Sequence, residues 1–91
     1  MEPARWRVEY SQPAAKAMAR LDKPVRERIY KAMDGLAKLE KPQTRCETLK
    51  GAWAGLWRLR AGNYRVVVDI LAGELTIVAV DLGHRSRIYG G

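Results

Sequence analysis

The chain has a single cysteine, a single histidine and few acidic side chains among its 91 residues. Cys46 has no second cysteine with which to form an internal disulfide, which fits a reducing compartment and predicts a cytoplasmic protein. The sequence also lacks a run of about 18 uncharged apolar residues, so neither a membrane span nor a membrane partner is expected. The opening MEPARWRVEY is charged and has no apolar core, which argues against a secretory signal.

The shortage of acidic residues leaves 17 Lys and Arg against 10 Asp and Glu, a formal charge of +7 and a pI near 10.0. Such a balance favours an anionic partner such as nucleic acid or an acidic protein, although a merely solvated basic surface gives the same numbers. The planar fork of arginine suits phosphate better than lysine does. After Lys50 every Lys or Arg position is arginine: Arg58, Arg60, Arg65, Arg85 and Arg87.

The length predicts one domain spanning residues 1–91. In the first half, RWRVEY (Arg5–Tyr10) alternates between two faces and predicts a half-buried strand. Ser11 can cap a helix that has Pro13 in its first turn. A second helix opens at Pro24, after a link short enough to predict a helical hairpin.

The period changes from helical to strand-like after Leu49, following the polar connector EKPQTRCET. GLWRLRA and YRVVVDIL read as strands joined at Gly62-Asn63, a sequence suited to a tight hairpin. A turn at Ala72-Gly73 leads to a third strand, ELTIVAVDL. The expected fold class is α+β, with the order β-α-α-β-β-β: a mostly antiparallel sheet with the two-helix hairpin packed on one face.

Strand alternation predicts where the arginines point. If Trp57 and Leu59 pack on the helices, Arg58 points to the uncovered face of the sheet. If Tyr64 packs there as well, Arg65 also points to the uncovered face. The two arginines are then expected within cross-strand reach, where they repel each other unless an anion lies between them.

Three blocks of sequence now bear on function: LKG at 49–51, GLWRLRAGNYRVVV at 55–68 and GHRSRIY at 83–89. Together with the opening WRVEYSQPAAKAMARLDKPVRERI, they resemble the RelE branch of the RelE/ParE toxin superfamily over almost the whole chain. The resemblance implies a toxin of a type II toxin-antitoxin system. Such a toxin cleaves mRNA without metal or cofactor, usually in the ribosomal A site, and is silenced in a hetero-oligomer by a cognate acidic antitoxin.

The resemblance also implies roles for individual residues. Arg58 matches a basic position that contacts the substrate backbone, and Arg65 matches the arginine that stabilises the cleaved phosphate. Arg85 and Tyr89 match the arginine and tyrosine of the C-terminal motif, the tyrosine stacking on or orienting the substrate. His84 lies where some members have lysine and near where others place a catalytic histidine.

The side chains suit metal-free cleavage, in which the RNA 2′-OH attacks the adjacent phosphorus. Arg65 and Arg85 are permanent cations that can bind the phosphate. His84 is a candidate proton carrier, because the ordinary pKa of histidine is about 6.5. We therefore expect His84 to join the open arginine face. The remaining arginines, Arg60 and Arg87, are expected to bind RNA backbone, rRNA or an acidic antitoxin.

Two alternatives stay open at this point. Some RelE enzymes have a lysine at the position of Leu56 that activates the nucleophile, so the general base here is unidentified. The chain is then either an active enzyme with another base or a catalytically inactive relative that acts only through antitoxin binding. ParE-like relatives, which act on DNA gyrase, are the other alternative.

Overall fold

The computed structural model of the chain describes residues 4–85. It contains five strands and two α-helices, and no helix in this range is long and apolar enough to cross a membrane. In chain order the elements are β1 (Arg7–Tyr10), α1 (Gln12–Ala19), α2 (Lys23–Ala37), β2 (Glu47–Thr48), β3 (Trp57–Ala61), β4 (Tyr64–Leu71) and β5 (Thr76–His84).

The strands form one sheet in the order β1-β5-β4-β3-β2. Strand β1 runs parallel to β5, and every other neighbouring pair is antiparallel. The predicted α+β class and mostly antiparallel sheet are confirmed. Strand β2 was not predicted: it lies at the end of the polar connector and pairs its two residues with Arg58 and Trp57 of β3.

Both helices pack on one face of this sheet, which we call the helical face. Met18 of α1 and Ile29, Met33 and Leu36 of α2 are almost completely buried there. They share one core with alternate strand residues, so the pleat of each strand decides which side chains join it. The strand residues in this core are Leu59, Ala61, Val66, Val68, Ile77, Ala79 and Leu82.

A β-bulge interrupts the alternation in β5. Ala79 pairs with Val68, whereas Asp81 pairs with Val67, so Val80 is an extra residue in this strand. Before the bulge the odd-numbered residues of β5 face the helices, and after it the even-numbered ones do. The bulge therefore turns Leu82 and His84 toward the helical face.

Ser11 ties this bulge to the first helix. Its backbone N–H donates to the Ala79 carbonyl (2.9 Å), and its hydroxyl donates to the Val80 carbonyl (2.5 Å). The same Oγ accepts from the Ala14 N–H (3.2 Å), as predicted for the N-cap of α1. One side chain thus fixes both the start of α1 and the extra residue of β5.

The turn between β3 and β4 lies beside a side chain of helix α2. Gly62 has φ +64°, a left-handed conformation that residues with a Cβ adopt only at a cost. A Cβ at this position would also lie 2.8 Å from the Arg28 guanidinium of α2. The predicted Gly62-Asn63 hairpin is present, and a helix side chain packs against its tip.

Replacing Ser11 with alanine should lower the free energy of unfolding by about 1–2 kcal/mol, because both the helix cap and the bond to the bulge are lost. Urea denaturation measures this change. Thr44→Ala is the matched control, since its exposed hydroxyl donates to the carbonyl of Lys41, three residues earlier in the chain (2.7 Å). The control should change stability by less than about 0.5 kcal/mol. Equal losses in the two variants would contradict the role given to Ser11.

Candidate functional site

The face of the sheet opposite the helices, which we call the open face, carries arginines near the β3–β4 hairpin. Arg60 lies directly opposite Arg65 in the β3–β4 register. Arg58 lies opposite Val67, one diagonal step away from Arg65. The predicted meeting of arginines across these strands is therefore present, but the directly facing partner of Arg65 is Arg60 and not Arg58.

The hairpin turn holds Arg65 in place. One guanidinium nitrogen of Arg65, Nη1, donates to the Gly62 carbonyl (2.9 Å) and to the Tyr64 carbonyl (3.0 Å). The remaining guanidinium donors are available to an anion on the open face. A side chain held in this way loses less rotamer freedom when it binds phosphate.

Arg85 joins the same region from the end of β5. Its backbone N–H donates to the Asn63 carbonyl (2.7 Å), which fastens the last described residue to the tip of the hairpin. Arg85 directly follows the last residue of β5, and its charge acts on Arg65. Arg58, Arg60, Arg65 and Arg85 form what we call the arginine cluster.

The charges of the other three arginines of the cluster all act on Arg65. Partial burial lowers the pKa of Arg65, and the charges of Arg60, Arg58 and Arg85 lower it further, while Glu47 acts in the opposite direction. Arginine nevertheless stays charged throughout the physiological range. The cluster is a concentration of positive charge that a phosphate would relieve.

Arg58 is held more tightly than an exposed strand residue would be. Its Nη2 lies 3.0 Å from an Oε1 of Glu47, and only 17% of its side chain is exposed, against 62% for Glu47. Its Nε is buried with no hydrogen-bond partner in residues 4–85. Val67, fully buried on the open face, lies between Arg58 and Asp81 in the strand register.

The expectation that His84 joins the open face is wrong. Its ring lies edge-on to Tyr64, with centroids 5.6 Å apart and an interplanar angle of 82°. Tyr64 packs against the helical core, so the two rings lie on the helical face. The cause is the bulge at Val80, which reverses the alternation for the rest of β5.

Arg87 and Tyr89 lie outside the described residues. Burial raises the pKa of the Cys46 thiol to about 11, so at neutral pH it is protonated and a poor nucleophile. Within residues 4–85, no group of three His, Cys, Asp or Glu side chains is placed to hold a metal ion.

The family to which the chain belongs follows from its sequence as a whole. The sequence model described as "ParE toxin of type II toxin-antitoxin system, parDE" matches residues 8–89. The chain belongs to the ParE toxin family. It is therefore a toxin of the RelE/ParE superfamily, as its motifs predicted. A comparison with curated protein sequences found no significant match.

Solved structures of RelE toxins share the fold of this ParE-family chain. A chain of the RelBE2 toxin-antitoxin complex from Mycobacterium tuberculosis matches with a TM-score of 0.81 at 21% identity, covering 93% of this chain and 97% of that one. A chain of the archaeal RelE-RelB complex from Pyrococcus horikoshii matches with a TM-score of 0.73 at 27% identity, covering 92% of this chain and 99% of that one. A chain of the intact E. coli RelBE complex matches with a TM-score of 0.69 at 18% identity, covering 87% of this chain and 95% of that one.

Glu47 is the residue of this ParE-family site that the sequence interpretation missed. It lies in a connector with no strand periodicity, and its strand β2 has only two residues. Its position becomes visible only through the pairing of Glu47 with Arg58 across β2 and β3. A carboxylate beside an arginine cluster adds a group that can accept a proton.

Replacing either arginine of β3 with alanine should change the free energy of unfolding, and the two changes should have opposite signs. Arg60→Ala removes one of two like charges that face each other and should raise the free energy of unfolding by roughly 0.5 kcal/mol at low salt. Arg58→Ala leaves Glu47 without its partner, uncovers Val67 and should lower that free energy by about 1 kcal/mol.

Urea denaturation at low and high ionic strength measures both effects. The gain from Arg60→Ala should shrink at high salt, because screening weakens repulsion between exposed charges. A loss of stability in Arg60→Ala, or a gain that does not depend on salt, would contradict the described arrangement of charges.

Proposed function

We propose that this type II toxin is an mRNA interferase: an endoribonuclease that binds mRNA through the arginine cluster and cleaves it on the ribosome. The observation that carries the proposal is the grouping of four arginines near the β3–β4 hairpin: two from β3, one from β4 and one that directly follows β5. Paired guanidinium forks bind phosphate oxygens through parallel hydrogen bonds. The net charge of +7 strengthens attraction to any RNA surface.

In the proposed reaction the 2′-OH of the RNA attacks the adjacent phosphorus, and the bond to the 5′-oxygen breaks. Arg65 and Arg85 stabilise the charge on the non-bridging oxygens, and Arg58 and Arg60 hold the neighbouring backbone. The leaving 5′-oxygen takes up a proton from water. Tyr89 keeps its proposed role of stacking on or orienting the substrate.

Glu47 is the general base in this proposal, at the step for which Leu56 offers no proton acceptor. Its carboxylate is largely exposed and lies beside the cluster, 3.0 Å from Arg58. A phosphate that binds Arg58 competes with this ion pair and releases the carboxylate to accept the proton of the 2′-OH. Substrate binding would then create the free base that the reaction needs.

The ribosome would supply positioning that a small domain lacks. Several basic side chains lie on or beside the exposed surfaces of the two helices and suit contacts with rRNA. They are Lys16, Arg20, Arg28, Lys31 and Lys38.

An acidic antitoxin is the proposed protein partner. The three structural relatives described above were solved as toxin-antitoxin complexes of RelE-type toxins with RelB-type antitoxins, which supports a hetero-oligomer for this chain. Strand β2 pairs only with Trp57 and Arg58, so within residues 4–85 the outer edge of β3 from Leu59 to Ala61 has no strand partner. An acidic segment that adds a strand there would lie beside the arginine cluster and neutralise it.

Inhibition of DNA gyrase is a second candidate. It is favoured by the family match, which names ParE, and by the placement of His84 away from the arginine cluster. In that case the open face would bind an acidic protein surface, and no proton acceptor would be needed.

Purified translating ribosomes with mapped mRNA 5′-ends test the first candidate. Wild-type protein should cut in the A site, and Arg65→Ala should cut at least roughly 100-fold more slowly, as expected when a charge-stabilising donor is lost. Arg7→Ala is the matched control: this arginine is also exposed but lies on the edge strand β1, paired with Glu9 (3.7 Å). Intact mRNA combined with stalled supercoiling by gyrase would establish the second candidate instead.

Glu47→Gln tests the general base separately from RNA binding. Glutamine keeps the size and can still bond to Arg58 but accepts no proton, so the cleavage rate should fall by about 100-fold or more while RNA affinity does not weaken. Glu9→Gln, the partner of Arg7 on β1, is the control and should retain activity. Full activity in Glu47→Gln would remove Glu47 from the mechanism.

A further inference from the structure

A small pocket lies on the helical face at the same end of the sheet as the arginine cluster. Its volume is about 190 Å³. Ala17, Arg20 and Leu21 of α1 and the following turn form one side, and Tyr64, Leu82 and His84 of the sheet form the other. None of the functions proposed above uses this pocket.

The lining suits a flat, partly polar ring. Tyr64 and His84 stand edge to face, so their arrangement offers both a ring face and a ring edge to a third planar group. Ala17 and Leu21 add an apolar wall, and Arg20 can donate hydrogen bonds to ring nitrogens or exocyclic oxygens. Unstacked nucleobases are bound in this way, between aromatic rings and guanidinium planes.

The strand pleat connects the pocket with the arginine cluster. Tyr64 of the pocket precedes Arg65 of the cluster, and His84 of the pocket precedes Arg85. Tyr64 and His84 also pair in the β4–β5 register, so each ring lies one residue from a phosphate-binding side chain. A nucleotide at the end of the sheet can therefore place its phosphate on one face and its base on the other.

We propose that this pocket is a nucleobase subsite, which receives an unstacked base of the nucleotide whose phosphate contacts Arg65 and Arg85. As a subsite for substrate RNA, it rests on the proposed function. It gives His84 a base-binding role in place of the proton transfer expected from the sequence. It also predicts that the toxin distinguishes a nucleotide from inorganic phosphate.

The only histidine in the chain gives a direct readout, because its ring Hε1 proton gives an NMR signal that no second histidine can overlap. Adenosine 5′-monophosphate should shift this signal in a saturable way, and inorganic phosphate should not. The nucleotide should bind roughly tenfold more tightly than phosphate. This ratio corresponds to about 1.4 kcal/mol and lies within the range for stacking of one base.

Ala17→Leu fills the pocket without altering the arginine cluster, and it should weaken nucleotide binding at least tenfold while phosphate binding is retained. Ala15→Leu is the matched control, because Ala15 is on the same helix but outside this pocket. Arg20→Ala, at an exposed side chain, provides a second variant whose fold is not at risk. It should weaken nucleotide binding and leave phosphate binding unchanged.

The outcomes separate this inference from the proposed function. Equal His84 shifts with phosphate and nucleotide, or undiminished nucleotide binding in Ala17→Leu and Arg20→Ala, overturn the pocket even if mRNA is cleaved. A nucleotide-specific shift that Ala17→Leu abolishes supports the pocket, even if the ribosome assay shows no cleavage and the proposed function fails.

Discussion

The phase of the strand pleat is the constraint on which the rest of this structure depends. Side chains alternate between a core under two helices and an uncovered face, so a shift by one residue would exchange the two sets. The bulge at Val80 makes one such shift, and Ser11 fixes it by bonding to the carbonyls of Ala79 and Val80 while capping α1. The chemistry at the end of β5 is set by this local irregularity.

Two surfaces of different character result at one end of the sheet. The open face gathers guanidinium groups that repel each other, and Glu47 offsets part of this repulsion through its ion pair with Arg58 and its charge near Arg65. Such a surface is most stable when covered by an anion, which can be a phosphate backbone or an acidic antitoxin segment. If both ligands use this surface, as we propose, they exclude each other, and the antitoxin silences the toxin by occupying the substrate site.

The regular parts of the molecule could be predicted from the sequence because their signals are local. Alternation identified the long strands and the outward direction of Arg65, and a serine before a helical stripe identified the cap at Ser11. The failures have causes that strand alternation does not show. Glu47 enters the sheet only by pairing with a distant strand, and His84 changes face because of a single extra residue. Neither event leaves a periodic pattern in the chain.

The most direct test of the account is the salt dependence of binding to an oligoribonucleotide whose 2′-O-methyl groups prevent cleavage. Each phosphate neutralised on a single strand contributes about 0.7 to the slope of log K against log salt. We expect measurable binding by the wild-type protein and a slope smaller by about 0.7 in Arg65→Ala. An unchanged slope in that variant, or no binding by the wild type, would contradict the claim that the arginine cluster grips an RNA backbone.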